Sequence, residues 1–227
     1  RSTLFPYTTL FRSKPYDDDP TNTGLNVTKM SRIKEIAEIG IAHGFQISVH
    51  AIGDRANRET LDTYEAVFKE HHVKSDTLRW RIEHAQHLNP SDIPRFAQMG
   101  VVASMQGIHA CSDAPYVLPR LGMQRAEEGA YVWRSLWKTG AVVTNGTDVP
   151  VEKISPIALF QCSVTRWAVG TDSAFVPDQT LTRQQALQTY TMNGAYVAFQ
   201  RHEKGSLTPG KYADITVLSR DITTVPP

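Results

Sequence analysis

Two histidines and an aspartate stand at, or just beyond, the carboxyl ends of short apolar segments in this chain of 227 residues. His50 ends the segment QISVH, His84 ends WRIEH, and Asp148 lies shortly after the segment AVVTN. Neutral imidazole is the commonest biological ligand for zinc, and a carboxylate beside a metal-bound water can accept its proton. These residue types predict a divalent-metal site at which Asp148 handles a proton.

Each of these residues also has a purely structural explanation. A lone histidine at a strand end usually forms only hydrogen bonds, and an aspartate in the position of Asp148 suits a turn or a helix cap. A metal-free scheme with His84 and Asp148 as an acid–base pair is a further alternative. His87 and His109 fall in loops after their strands, where exposure explains them, although the position of His109 makes it a candidate substrate contact.

Helical and strand patterns alternate along most of the chain. The helical segments have apolar residues at helical spacing, and the apolar, β-branched segments between them predict four strands, at 45–50, 78–84, 101–105 and 141–144. Such alternation predicts parallel strands with right-handed crossovers, in an open doubly wound sheet or a closed (β/α) barrel. In a barrel the carboxyl ends of all strands meet at one rim, so that His50, His84 and Asp148 converge there.

Counting limits how much of a barrel is present. An eight-stranded (β/α) barrel takes about 250 residues, and four strands therefore correspond to half of it.

In the first strand, period-two geometry sends Gln46, Ser48 and His50 to one face. A parallel strand covered on both faces is normally apolar throughout. The polar row therefore indicates a ligand or metal on that face.

The ends of the chain differ from the middle. Residues 1–13 contain Thr-Leu-Phe twice and resemble a translated adapter or cloning scar, so no native element is predicted there. If that is so, the natural reading frame began further upstream. Residues 14–203 are predicted to form the partial barrel. A capping box at Thr182, a helix break at Asn193-Gly194 and a last strand over 213–218 follow, and residues 204–227 are assigned to a small β-domain.

Composition excludes several classes of partner. The chain has 24 Lys+Arg and 23 Asp+Glu, which argues against nucleic acid as a partner. It has no stretch of about 20 apolar residues, which argues against a membrane span. Its two cysteines, Cys111 and Cys162, are too few for a disulfide framework or a thiolate zinc site, which favours a reducing, cytoplasmic location. The sequence leaves the oligomeric state open, a homo-oligomer included.

Five short motifs, in order, resemble the amidohydrolase superfamily. More narrowly, they are similar to the amidohydrolase-3 branch, which includes N-substituted formamide deformylases and YtcJ-like proteins. The similarity extends from about Pro15 to Asp221 and rests on the strings HAIGDRA (50–56), RIEHAQ (81–86), ASMQ (103–106), GTDVPV (146–151) and KGSLTPGKYAD (204–214).

The resemblance implies a metal-dependent hydrolase on a (β/α) barrel with a small β-domain. His50 and His84 match the metal-ligating histidines of the fifth and sixth strands, and Asp148 matches the aspartate that binds metal and carries a proton. One or two divalent ions, zinc above all, would activate water against a small-molecule amide or formamide, with His109 as a substrate-binding residue. This chain then corresponds to the carboxyl-terminal half of a TIM-type (β/α)8 barrel plus a strand of a small β-sandwich domain.

One departure from the family limits that prediction. The paired histidines of the first strand and the ligand of the fourth would lie upstream. The two histidine ligands that remain do not by themselves hold a catalytic zinc, which usually has three protein ligands and a water. We therefore expect the chain alone to be inactive or nearly so. The alternative is a non-catalytic barrel fragment that acts as a binding or structural module, in which the histidines and Asp148 make only local hydrogen bonds.

Overall fold

The computed structural model of the protein describes residues 11–226. Most of the predicted adapter-like segment therefore lies outside the described residues. Of its last three residues, Arg12 is buried and its backbone N–H donates to the carbonyl of Thr23 at 2.8 Å. The assignment of residues 1–13 as non-native stays a prediction, as does the division into domains at 14–203 and 204–227.

A four-stranded parallel sheet forms the centre of the fold. Its strands are β1 (Ser48–Ala51), β2 (Arg81–His84), β3 (Val102–Met105) and β4 (Val143–Asn145), and they lie in chain order. In the register, Ala51 pairs with His84 and Met105 pairs with Asn145, so that the carboxyl ends of the strands share one edge. This confirms the prediction of a parallel α/β half-barrel.

Ten α-helices accompany the sheet in the described residues. They are α1 (Met30–His43), α2 (Asp54–Glu70), α3 (Ser75–Leu78), α4 (Ile93–Met99), α5 (Gly107–Ser112), α6 (Ala114–Gly129), α7 (Trp133–Lys138), α8 (Pro156–Thr165), α9 (Arg183–Tyr190) and α10 (Met192–Val197), with short 3₁₀ turns at Pro90–Asp92 and Pro177–Gln179. None of these helices is long and apolar enough to cross a membrane.

Helix α2 shows how the sequence pattern builds the core. Leu61, Tyr64, Val67 and Phe68 recur at helical spacing, and all four are buried. The ring of Tyr64 lies 5.0 Å from that of Trp80, the residue before β2, in an edge-on contact. Burying each large side chain contributes about 1.5–3 kcal/mol, so this face fixes α2 on the sheet.

Several local predictions need correction. Residues 106–128, whose polar and proline-containing sequence predicts no regular element, form α5 and most of α6. A kink at Gly122, with a φ of 70° and a ψ of 161°, divides α6 into two helical pieces. The break after α9 falls at Thr191 and not at Asn193-Gly194, which lies inside α10. Asn193 donates from its side chain to the carbonyl of Val143 at 2.8 Å, which holds that helix against β4.

The last predicted strand is also not formed. Residues 213–218 are exposed and irregular in the structure. A strand needs a neighbouring strand to supply its hydrogen bonds, and the described part of the chain places none beside this segment.

The expectation that the two cysteines form no disulfide is wrong. The structure joins Cys111 of α5 to Cys162 of α8 in a disulfide, with a Cα–Cα distance of 6.1 Å. The fold brings together two residues separated by 51 positions. Their pairing therefore depends on the packing of α5 against α8, which the sequence pattern does not reveal.

Candidate metal centre

The two histidines at the ends of β1 and β2 lie side by side. The rings of His50 and His84 are 4.4 Å apart between centroids and meet edge to face. The adjacent parallel strands place them at the same edge of the sheet, as the alternating pattern predicts. The other two residues of the predicted polar row, Gln46 and Ser48, have hydrogen-bond partners within the protein. Ser48 donates to Glu83 at 2.7 Å, and Gln46 donates to the carbonyls of Arg79 and Val197.

A second cluster continues from His84 towards β4. One ligand atom from each of His84, His109 and Asp148 lies within 4.8 Å of the others. The Nε2 atom of His109 is 3.0 Å from Oδ2 of Asp148. The structure thus brings His84 and Asp148 together as predicted and adds His109, while His50 borders the cluster through its contact with His84.

The placement of His109 differs from the prediction. His109 lies in α5 and is buried, and His87 is buried as well, so neither is an exposed loop residue. Glu152 also reaches the site, with its Oε1 atom 4.0 Å from Nδ1 of His109. The sequence carries no signal for this contact, because Glu152 lies in an irregular turn after Asp148.

The backbone is strained at the same residues. His84, Ala85 and Asp148 have φ angles of 73°, 44° and 55°, in the left-handed region that favours glycine. For other residues this conformation costs about 1–3 kcal/mol each, and such residues concentrate at functional sites. Three of the nine such residues in the described part of the chain lie together here, which makes this edge of the sheet a candidate functional site.

The histidines are held in the neutral form that binds metal. Burial, with a smaller contribution from His50, lowers the pKa of His84 to about 4. Partial desolvation also lowers the pKa of His50, although Asp148 and Glu83 oppose this shift. Both imidazoles are therefore neutral at pH 7 and offer a lone pair.

The donor set fits a divalent metal. The cluster offers imidazole nitrogens and a carboxylate oxygen, the ligands that zinc takes in catalytic sites. The Nδ1 atom of His84 is buried and has no hydrogen-bond partner among the residues that the structure describes. A buried polar atom without a partner costs about 1–3 kcal/mol of stability. A metal ion bound at this nitrogen would remove that cost.

Known proteins are similar to this chain in sequence. The sequence profile of the amidohydrolase family matches residues 7–227. The chain is 38% identical over 204 residues to Protein LONG AFTER FAR-RED 3 of Arabidopsis thaliana, a match that covers 90% of this chain and 35% of that protein. It is 29% identical to the putative amidohydrolase YtcJ of Bacillus subtilis, with 96% and 41% covered, and 28% identical to the N-substituted formamide deformylase of Arthrobacter pascens, with 91% and 37% covered.

A solved structure agrees with these relatives. An uncharacterized metal-dependent hydrolase from Pyrococcus furiosus superimposes with a TM-score of 0.81 at 30% identity, covering 95% of this chain and 42% of the other. The chain therefore spans about two fifths of the length of the proteins it matches. Since the family profile covers nearly all of its residues, the chain belongs to the amidohydrolase family.

Proposed function

We propose that this chain supplies the metal-binding carboxyl half of a hydrolase that cleaves a non-peptide carbon–nitrogen bond in a small-molecule amide or formamide. The observation that carries the proposal is the cluster of His84, His109 and Asp148, whose ligand atoms lie within 4.8 Å of one another at the carboxyl edge of a parallel sheet. The substrate class rests on the similarity to the formamide deformylase. The balanced charge argues against nucleic acid, and a cytoplasmic location stays a prediction from composition.

His50, His84 and Asp148 would hold the ion, for which zinc is the best match. When bound, a divalent ion acts as a Lewis acid that polarises the substrate carbonyl and acidifies water. The carboxylate of Asp148 accepts the proton of the attacking water and returns it to the leaving amine. His109 orients that carboxylate through the 3.0 Å contact and would be the substrate-binding residue.

A second arrangement makes His109 a metal ligand. Its proximity to His84 and Asp148 also suits a metal ligand, with His50 then in the surrounding layer. The two arrangements differ in which histidine contributes more to metal affinity, so His50→Ala and His109→Ala compared in one titration decide between them.

We further propose that the chain alone has little or no hydrolase activity. It spans 35–41% of the three curated relatives, so most of the length of each relative has no counterpart in this chain. Full hydrolase activity would then require further residues from a longer polypeptide that contains this chain.

Metal binding tests the proposal without depending on activity. We expect the purified chain to bind zinc, and His84→Ala to weaken binding by about 100-fold or more, which corresponds to about 2.7 kcal/mol. Competition with a chromophoric chelator measures the affinity. His43→Ala, at the exposed end of α1, is the matched control and should leave the affinity within about twofold.

If the chain is a non-catalytic binding or structural module, the opposite result is expected for zinc binding. If the histidines and Asp148 form only local hydrogen bonds, such as that between His109 and Asp148, His84→Ala would bind zinc as the His43→Ala control does. Absence of zinc binding by the unmodified chain would contradict the proposal in the same way.

A further inference from the structure

A buried hydrogen-bonded network lies directly behind the metal centre. It consists of Gln86, Asp113 and Tyr131, which we call the Gln86–Asp113–Tyr131 network, and each side chain is at most 3% exposed. The hydroxyl of Tyr131 donates to Oδ2 of Asp113 at 2.5 Å. The side-chain amide of Gln86 donates to the same oxygen at 3.1 Å and to the hydroxyl of Tyr131 at 2.5 Å.

The network holds the segment that carries His84. Gln86 follows His84 by two residues, and the intervening backbone is left-handed at His84 and Ala85. Besides its side-chain bonds, Gln86 accepts the backbone N–H of Tyr131 on its carbonyl at 2.7 Å. Gln86 is thus fixed through both its backbone and its side chain. A shift of Gln86 therefore cannot relieve the backbone strain at His84.

The same network holds the helix that carries His109. Asp113 caps the carboxyl end of α5, and its backbone N–H donates to the carbonyl of His109 at 2.9 Å. One carboxylate therefore links the segment of His84 to the helix of His109. The rings of these two histidines lie 5.9 Å apart.

We propose that Asp113, Tyr131 and Gln86 are positioning residues that set the spacing of His84 and His109 for a shared ligand. A buried carboxylate is costly compared with apolar packing of the same volume, so its presence at this position is explained by what it orients. Partners in the outer layer of metal sites commonly orient the ligands and tune affinity. The part of the proposal that concerns metal affinity rests on the proposed function, whereas the positioning of the two rings does not.

Side-chain NMR of the whole chain labelled with ¹⁵N-histidine tests the positioning directly and needs no metal. We expect Tyr131→Phe to shift or broaden the imidazole resonances of His84 and His109, and to leave that of His43 unchanged. Tyr64→Phe is the matched control, because Tyr64 is equally buried and donates to the carbonyl of Arg81 at 3.2 Å, outside the network.

Variants of the carboxylate give a graded result. Asp113→Ala should perturb both resonances most, and Asp113→Asn should restore them in part, because it keeps an acceptor for Tyr131. If Asp113→Ala does not fold, Tyr131→Phe and Asp113→Asn decide the question, with near-ultraviolet circular dichroism as the check of folding. Resonances of His84 and His109 that respond no more to Tyr131→Phe than to Tyr64→Phe would overturn the inference.

Zinc affinity provides the second readout. We expect Tyr131→Phe to weaken binding by about tenfold or more and Tyr64→Phe to change it less than twofold. Unchanged affinity in Tyr131→Phe would overturn the inference even if the resonances move. If the unmodified chain binds no zinc, the proposed function fails, and the NMR comparison alone decides whether the network positions the rings.

Discussion

The two sides of the half-barrel differ in how firmly they hold their histidines. On the side of β2 to β4, which we call the closed side, His84 is buried, has a left-handed backbone and is backed by the Gln86–Asp113–Tyr131 network. On the side of β1, which we call the open edge, His50 is exposed and precedes a buried Ala51. His50 and His84 nevertheless end adjacent parallel strands and touch each other.

This difference shows that residues in the same position on neighbouring strands need not be equivalent. β2 has a paired strand on each side, whereas β1 has one only in the part of the chain that the structure describes. Burial, strain and outer hydrogen bonds therefore accumulate at His84. We expect perturbations of the closed side to cost more than matched perturbations of the open edge.

The largest effect should come from the aromatic residues before the two strands. Trp80, before β2, is fully buried against Tyr64 and Phe68, and Trp80→Ala should lower the free energy of unfolding by about 3–5 kcal/mol. Phe45, before β1, is 62% exposed, and Phe45→Ala should cost about 0.5 kcal/mol or less. Urea denaturation measures both. Equal losses would remove the distinction between the sides.

The disulfide of the closed side should have the next largest effect. It closes a loop of 51 residues between α5 and α8, and reduction should lower the free energy of unfolding by about 2–4 kcal/mol. The chain has only two cysteines, so thiol titration under denaturing conditions shows directly whether the bond forms. The double variant Cys111→Ala/Cys162→Ala should lose its sensitivity to reductant. Two free thiols in protein purified without reductant would contradict the pairing.

Two glycines that end helices should show the smallest difference in the free energy of unfolding. Gly44 ends α1 at the open edge and Gly100 ends α4, with φ angles of 69° and 63°. A Cβ atom at position 44 would meet no described atom within 4 Å, whereas one at position 100 would lie 2.8 Å from the Cα atom of Asp76. Gly44→Ala should cost about 1 kcal/mol from backbone strain, and Gly100→Ala about 1 kcal/mol more. Thermal unfolding of the two variants provides the measurement, and a larger loss for Gly44→Ala would contradict the packing.

Local and periodic features of the fold could be predicted from the sequence. The capping box of Thr182 and Gln185 forms as expected, because it depends on residues three positions apart. The parallel strands and the meeting of His50, His84 and Asp148 at one edge follow from the alternation of elements, which leaves few topologies.

Features that depend on tertiary packing could not be predicted. Helix α5 has only six residues, too few for a periodic pattern, so the burial of His109 and its contact with Asp148 did not show in the sequence. The same packing pairs Cys111 with Cys162. The segment 213–218 has a strand-like pattern, but a pattern alone does not provide the neighbouring strand that a ladder needs.

Anomalous scattering at the zinc absorption edge, from crystals of the chain grown with zinc, tests the central claim most directly. We expect a peak about 2.0–2.2 Å from an imidazole nitrogen of His84 and from a carboxylate oxygen of Asp148, with His50 or His109 as a further neighbour. A zinc peak bound elsewhere, or none at this edge of the sheet at saturating zinc, would contradict it.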